Sequence, residues 1–234
     1  MWTVLRAELA RAAEAGSAQL AVLDLGGGSG GAAVPLAELG HHVTVLDASA
    51  DALATLQRRA ADAGVARLVT PVQGDVERLP ARVQGSAYDL VLCHSLLEVV
   101  DDPAATLATV AGALRSGGGA SVLAAGRAAA VLARALGGHL ADALRALTDP
   151  SGRWGAGDGV LRRFDTEELV ALVGAAGLTV EAVHGVRVVA DLVPGAVLDT
   201  EPGTAEALRE LETAVATLPP YRDLAAQLHV LARR

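Results

Sequence analysis

An α/β fold built on a mostly parallel sheet is predicted by three features of the sequence. Apolar runs of strand length alternate with segments whose apolar residues fall at three- and four-residue spacing, the pattern of strands and the helices packed on them. The first such run, Val22 to Leu25, passes directly into Gly26, Gly27, Gly28, Gly30 and Gly31. The next run ends on an acid, Asp47. Glycine is needed where a strand turns sharply into a helix while its backbone approaches a ligand, because a Cβ would fill that space.

Taken in order, a short helix is expected over residues 2–15 and strands over 20–25, 42–47, 67–73, 88–93 and 120–125. Helices fall between them at 51–63 and 103–114, the second opened by Asp102 as N-cap and Pro103 in the first turn. Beyond Gly126 an alanine-rich helical segment to about Leu147 leads into a loop-like stretch, 148–159, read as an insertion that caps the active site. The run Asp165-Thr166-Glu167-Glu168 is a capping box ahead of a helix over 169–176, which Gly177 stops. Apolar runs at 179–193 and 228–232, with a helix over 204–218 between them, complete a seven-stranded sheet. The resulting organisation is a Rossmann-like cofactor-binding core over 1–125, a cap over 126–164, and a segment over 165–234 that finishes the same sheet, with helices on both faces.

Composition narrows the chemistry. The chain has 234 residues, 52% of them apolar, enough for one large and well-buried α/β domain. All 19 basic residues are arginine, which excludes a phosphate-cradling lysine, a Schiff-base lysine and a Tyr-x-x-x-Lys proton relay. No apolar run reaches the roughly 20 residues that span a bilayer, and no secretory leader is evident, so a cytoplasmic location without membrane contact is expected. The single cysteine, Cys93, forms no internal disulfide, in keeping with a reducing compartment. A net charge of −8 opposes long-range attraction to nucleic acid. Arg153, Arg162 and Arg163 are close enough in sequence to form a local basic mouth or simply to solvate a surface. His41, His42, His139, His184 and His229 show no metal-ligand spacing, and no metal is expected.

The glycines alone fit both G-x-G-x-x-G and G-x-G-x-G patterns and do not choose between a nicotinamide dinucleotide and another nucleoside cofactor. Asp24 favours the latter. An acid two residues before the first glycine suits a ligand bearing an ammonium and a sulfonium, as S-adenosylmethionine does, better than a pyrophosphate.

Several separated segments resemble the class I S-adenosylmethionine-dependent methyltransferases. Residues 22–30 look like the family's first motif, Asp47 its ribose acid, Gly74-Asp75-Val76 its adenine-side loop, 88–93 its fourth strand, and Leu114-Arg115-Ser116-Gly117-Gly118 the turn before the fifth. The resemblance implies that the backbone at Gly26, Gly27, Gly28 and Gly30 approaches the methionine part, with Asp24 holding its ammonium. It further implies that Asp47 accepts both ribose hydroxyls, Ala48 touches the adenine, and Asp75 with the backbone of Val76 reads the adenine amino group. Read singly, Asp47 and Asp75 are equally well turn or cap residues.

From His94 through Pro103 the chain is similar to the tRNA 5-carboxymethoxyuridine methyltransferases. The similarity continues through Gly185-Val186-Arg187-Val188, Asp191-Leu192, 208–212, Pro220-Tyr221, His229-Val230 and Ala232-Arg233. The pattern departs from that family in the missing N-terminal extension with its arginine, the absence of a lysine-rich stretch within 127–159, Val99 in place of tryptophan and Ala190 in place of histidine. The resemblance implies O-methylation of a carboxylate on a modified tRNA uridine; the alternatives are a small, acidic metabolite as acceptor, or a module that binds the cofactor without catalysis. His94 is read as a catalytic and cofactor-positioning residue, with a general base or a packed histidine as the other readings. Arg187 is read as clamping a substrate carboxylate, with a salt bridge to Asp191 as the alternative. Glu98 and Asp101 are read as helix-face or capping charges, and Tyr221 and Arg222 as bordering the pocket.

Overall fold

The computed structural model describes residues 2–14, 19–79, 83, 85, 87–196 and 203–234. After a helix α1 (Trp2–Glu14), strand β1 (Ala21–Leu25) leads through the glycines to α2 (Ala33–Glu38), then β2 (His42–Asp47), α3 (Ala50–Asp62), β3 (Val69–Gln73) and β4 (Tyr88–His94). Helix α4 (Pro103–Ala113) runs into β5 (Leu114–Ala125), and the cap follows as α5 (Arg127–Leu136) and α6 (Leu140–Thr148). The C-terminal part contains α7 (Thr166–Ala175), β6 (Thr179–Val186), α8 (Thr204–Val215) and β7 (Gln227–Arg233).

The seven strands form one sheet in the order β3-β2-β1-β4-β5-β7-β6. Pairings among β1 to β5 are parallel, and β7 alone runs antiparallel, between β5 and β6. The central strands β1, β4 and β7 are buried on both faces, which is why they read as continuous apolar runs, whereas the edge strands β3 and β6 are partly exposed. One face packs Leu5 and Leu9 of α1 with Val34 and Leu36 of α2 and Leu53 and Leu56 of α3; the other packs Leu107 and Val110 of α4 with Leu169 and Val173 of α7. The order reverses between β1 and β4, and clefts for ligands open outside the carboxyl ends of strands at such a point.

Local chemistry sets the boundaries. Ser49 caps α3 by accepting from the Ala52 amide (3.2 Å), and Asp102 caps α4 by accepting from Ala105 (3.0 Å) ahead of Pro103. The capping box predicted at Asp165 and Glu168 is formed. Several boundaries differ from the sequence reading. The cap helix is two helices, broken at Gly137-Gly138, where Gly138 takes a φ of +79°. The run 179–193 is a strand only as far as Val186; Arg187 turns the chain with a φ of +59°, so it follows β6 rather than lying on it. Strand β5 begins earlier than expected, at Leu114, and α8 ends at Val215. The expected end of α1 at Ala15 lies outside the described residues.

Candidate active site

At the carboxyl ends of β1 to β4 a cleft of about 410 Å³ is lined by Gly26, Asp47, Ala48, Asp75 and Val76, together with Ser95, Leu96 and residues 99–101. Five residues picked from the sequence are therefore brought to one cavity. The glycine turn explains its shape. Gly26, Gly28 and Gly30 hold φ values of +68°, +54° and +81°, a region that favours glycine. A Cβ at Gly27 would sit 2.5 Å from the Asp24 carboxylate and 2.8 Å from Val45, and one at Gly30 would strike Leu56 at 2.3 Å. At Gly28 a Cβ would meet nothing nearer than Asp47 Oδ2 at 3.8 Å, so this glycine keeps open space beside the acid rather than relieving a clash.

Asp47 is aimed from both sides. Its Oδ2 accepts from the Gly28 amide (2.9 Å) and its Oδ1 from the Ser49 amide (2.8 Å), which fixes the carboxylate at the strand end with lone pairs left for hydroxyl donors. Asp75 caps a short turn by accepting from the Glu77 amide (2.9 Å) while still lining the cleft, so the capping and ligand readings coexist. Asp24 lies beneath the turn, 3% exposed, and burial, aided by the Asp47 charge, pushes its carboxyl up to about 7. It is not among the residues lining the cleft, and the Gly27 backbone packs against its carboxylate. The enclosed acid, the open space at Gly28 and the oriented Asp47 fit a nucleoside bearing a cationic amino-acid tail.

His94, at the end of β4, is not among the residues lining this cleft. Its Nε2 lies 2.8 Å from Ser121 Oγ, which lies 2.8 Å from His229 Nε2, and His229 Nδ1 is 3.4 Å from His184 Nδ1. With a single proton the Ser121 hydroxyl can donate to only one of the two imidazoles, so at least one ring carries its proton on Nε2. Burial lowers His94 to about 4 and His229 to about 3. Sequence reasoning missed this chain because its members are distant in sequence. Only the register, which sets His184 opposite His229 and Leu123 opposite His229, brings them together.

A second, larger cavity of about 860 Å³ opens between the cap and the C-terminal part. Its wall is mostly apolar, from Ala129, Leu132 and Leu136 of α5 to Val188, Leu192 and Leu224, with Tyr221 at the side. Arg187 lines it but places Nη2 on both Asp191 oxygens (2.6 and 2.7 Å), the salt bridge given above as the alternative to a substrate clamp. Arg222 is not among the lining residues and pairs with Asp223 (3.1 Å). The basic mouth is not formed by Arg162 and Arg163. Arg162 donates to backbone carbonyls at Leu97, Val100 and Asp101, and Arg163 pairs with Asp158 at 2.6 Å. Glu98, read as a helix-face or capping charge, is 5% exposed, with Oε2 lacking a hydrogen-bond partner among the described residues and its carboxyl raised by burial.

Residues 22–118 match the family model of a methyltransferase domain. Over 222 residues the chain is 29% identical to the tRNA 5-carboxymethoxyuridine methyltransferase of Escherichia coli K12, covering 95% of this chain and 83% of that protein. This chain carries a methyltransferase domain. The methyltransferase is also 36% identical over 104 residues to the ubiquinone biosynthesis O-methyltransferase of Aromatoleum aromaticum, covering 44% of this chain and 43% of that one. In fold, it is similar to an S-adenosylmethionine-dependent methyltransferase from Mesorhizobium loti, with a TM-score of 0.67 across 100% of this chain and 97% of that one at 23% identity. Among the described residues no helix is long and apolar enough to cross a membrane, and no group of three or more potential ligands could hold a metal.

Proposed function

We propose that this methyltransferase O-methylates a small, largely apolar molecule held between the cap and the C-terminal part. The supporting observation is the 860 Å³ cavity, whose wall is apolar and whose two arginines, Arg163 and Arg187, already hold carboxylates of the chain. Asp47 binds the ribose hydroxyls, Asp75 and the Val76 backbone hold the adenine, and Asp24 holds the ammonium beneath Gly26, Gly27, Gly28 and Gly30. The cofactor supplies a methyl group already activated by its sulfonium, so the chain has mainly to align the acceptor oxygen and exclude water. His94, bonded to Ser121 and outside the lining of either cavity, is a packed histidine rather than a general base, since a base as weak as its lowered value implies is poorly matched to neutral pH.

A tRNA uridine is the second reading, favoured by the relative that matches 95% of the chain. A transfer assay with radiolabelled S-adenosylmethionine separates the two. Incorporation into a panel of aryl and alkyl hydroxy acids, absent with total tRNA, supports the small acceptor; label in tRNA alone overturns it. Asp47→Ala, which loses the ribose acceptors, is expected to weaken S-adenosylhomocysteine binding by roughly 30-fold or more, about 2 kcal/mol.

A further inference from the structure

We propose that Arg162 is a positioning residue that couples the cap to occupancy of the cofactor cleft; the inference rests on that cleft holding the cofactor. The loop after β4 has two working faces. Toward the cleft it presents Ser95, Leu96, Val99 and Val100. From the other side the return segment of the cap is bonded to it at four points. The Leu161 amide donates to Glu98 O (2.8 Å), while Arg162 donates from Nη1 to Leu97 O (2.9 Å) and Val100 O and from Nη2 to Asp101 O (3.1 Å).

A guanidinium suits this task because its donors lie in one rigid plane and reach several diverging carbonyls at once, which the single ammonium of lysine cannot reproduce. The cap has its own attachment elsewhere. Phe164 N donates to Ala125 O (2.9 Å) and Arg127 N to Phe164 O (3.0 Å), so removing Arg162 releases the loop without removing the cap from the sheet. Leu96 ties the loop to the glycine turn, since its Cδ1 lies 2.9 Å from the point a Cβ on Gly26 would occupy. A ligand that seats against Leu96 and Val99 therefore steadies the carbonyls that hold Arg162, and by reciprocity an anchored cap favours the ligand.

The test combines calorimetric titration with S-adenosylhomocysteine and amide hydrogen exchange on wild type, Arg162→Ala, Arg162→Lys and, as a control, Arg145→Ala. Among the described residues Arg145 bonds only within the cap, to Asp142 and to Trp154 O (2.9 Å). In wild type the ligand is expected to slow exchange over both 95–101 and 151–164. Arg162→Ala should bind about tenfold more weakly, the loss of roughly one charge-assisted bond, and protect 95–101 only. Arg162→Lys should fall between, and carries the comparison if the alanine variant melts below the assay temperature. Arg145→Ala should bind within twofold of wild type and keep protection of both segments. Affinity within twofold in Arg162→Ala, or retained protection of 151–164, overturns the inference. Failure of wild type itself to bind would overturn the cofactor assignment, and the coupling with it.

Discussion

Replacing Asp24 by asparagine should make the empty protein more stable at alkaline pH while weakening cofactor binding. The carboxyl lies within β1, between Val45 of β2 and Leu92 of β4 in register, and is covered by the Gly27 backbone. Burial displaces it from 3.8 to about 7, corresponding to on the order of 4 kcal/mol of penalty on the charged form. Between those values the folded chain holds a proton that the unfolded chain has released. Stability from this group therefore falls as pH rises across the window and is lowest above about 7. Urea unfolding at pH 4 to 8 should show Asp24→Asn gaining about 2–4 kcal/mol over wild type at pH 8, with the difference closing toward pH 4. At pH 8 the variant should bind S-adenosylhomocysteine at least tenfold more weakly, about 1.4 kcal/mol, because a neutral amide cannot pair with the ammonium. Parallel stability curves for the two proteins would refute the buried-charge argument, and equal affinity would refute the role in binding.

Three further outcomes follow from the geometry. Gly27→Ala drives a Cβ to 2.5 Å from the Asp24 carboxylate and 2.8 Å from Val45, so thermal melting should show a loss of about 1–3 kcal/mol together with weaker cofactor binding. Glu8 is buried, yet hydrogen bonds from Arg233 and Arg11 outweigh that burial and hold its carboxyl down to about 2, so its contribution is present above 4.5 and lost as pH falls toward 2. Glu8→Gln should cost on the order of 3 kcal/mol at pH 7 and nothing near pH 2, measured by denaturant midpoints across that range. Ser121→Ala strips two imidazoles of a partner and should cost about 1–3 kcal/mol by the same measurement. Because burial holds His94 and His229 below their unfolded value of 6.5, the stability they support is present above it and is lost as pH falls through about 4 and 3, and Ser121→Ala, which leaves that burial in place, should keep this dependence.

The strands and the glycine turn were legible because they depend on local rules: apolar runs of strand length, a Pro behind an Asp cap, and glycines where the backbone must take positive φ. Local rules read Asp47 and Asp75 only as turn or cap residues, and the resemblance singled them out as ligands; both line the cleft. What escaped was tertiary. Glu98 reads as one more surface acid until the cap's return segment covers it, and the imidazole chain exists only through the registers of β5, β6 and β7. Arg187 was misplaced because residues 179–193 keep an apolar pattern past the point where the chain turns. Gly137-Gly138 shows the converse error, where composition continued a helix that two glycines break.

The acceptor is argued from how the cap spends its charge. It carries six arginines, and five face partners within the chain: Arg127 bonds Pro150 O, Arg134 stacks on Trp154 at 3.7 Å, Arg145 bonds Trp154 O, Arg162 bonds the cofactor loop and Arg163 pairs with Asp158. Phosphate contacts dominate affinity for nucleic acid and need such groups facing outward. What α5 and α6 expose instead is leucine, with Leu136, Leu140 and Leu144 each more than half exposed. Leu136 also lines the large cavity, so the apolar surface continues from the cap into the pocket. A molecule that loses its water along that path gains about 25 cal/mol for each Å² of apolar surface buried, whereas a polyanion gains nothing there and meets a chain of net charge −8. Under the proposal of a small acceptor, the cap is where this chain departs in substrate from the tRNA enzyme that it resembles along 95% of its length.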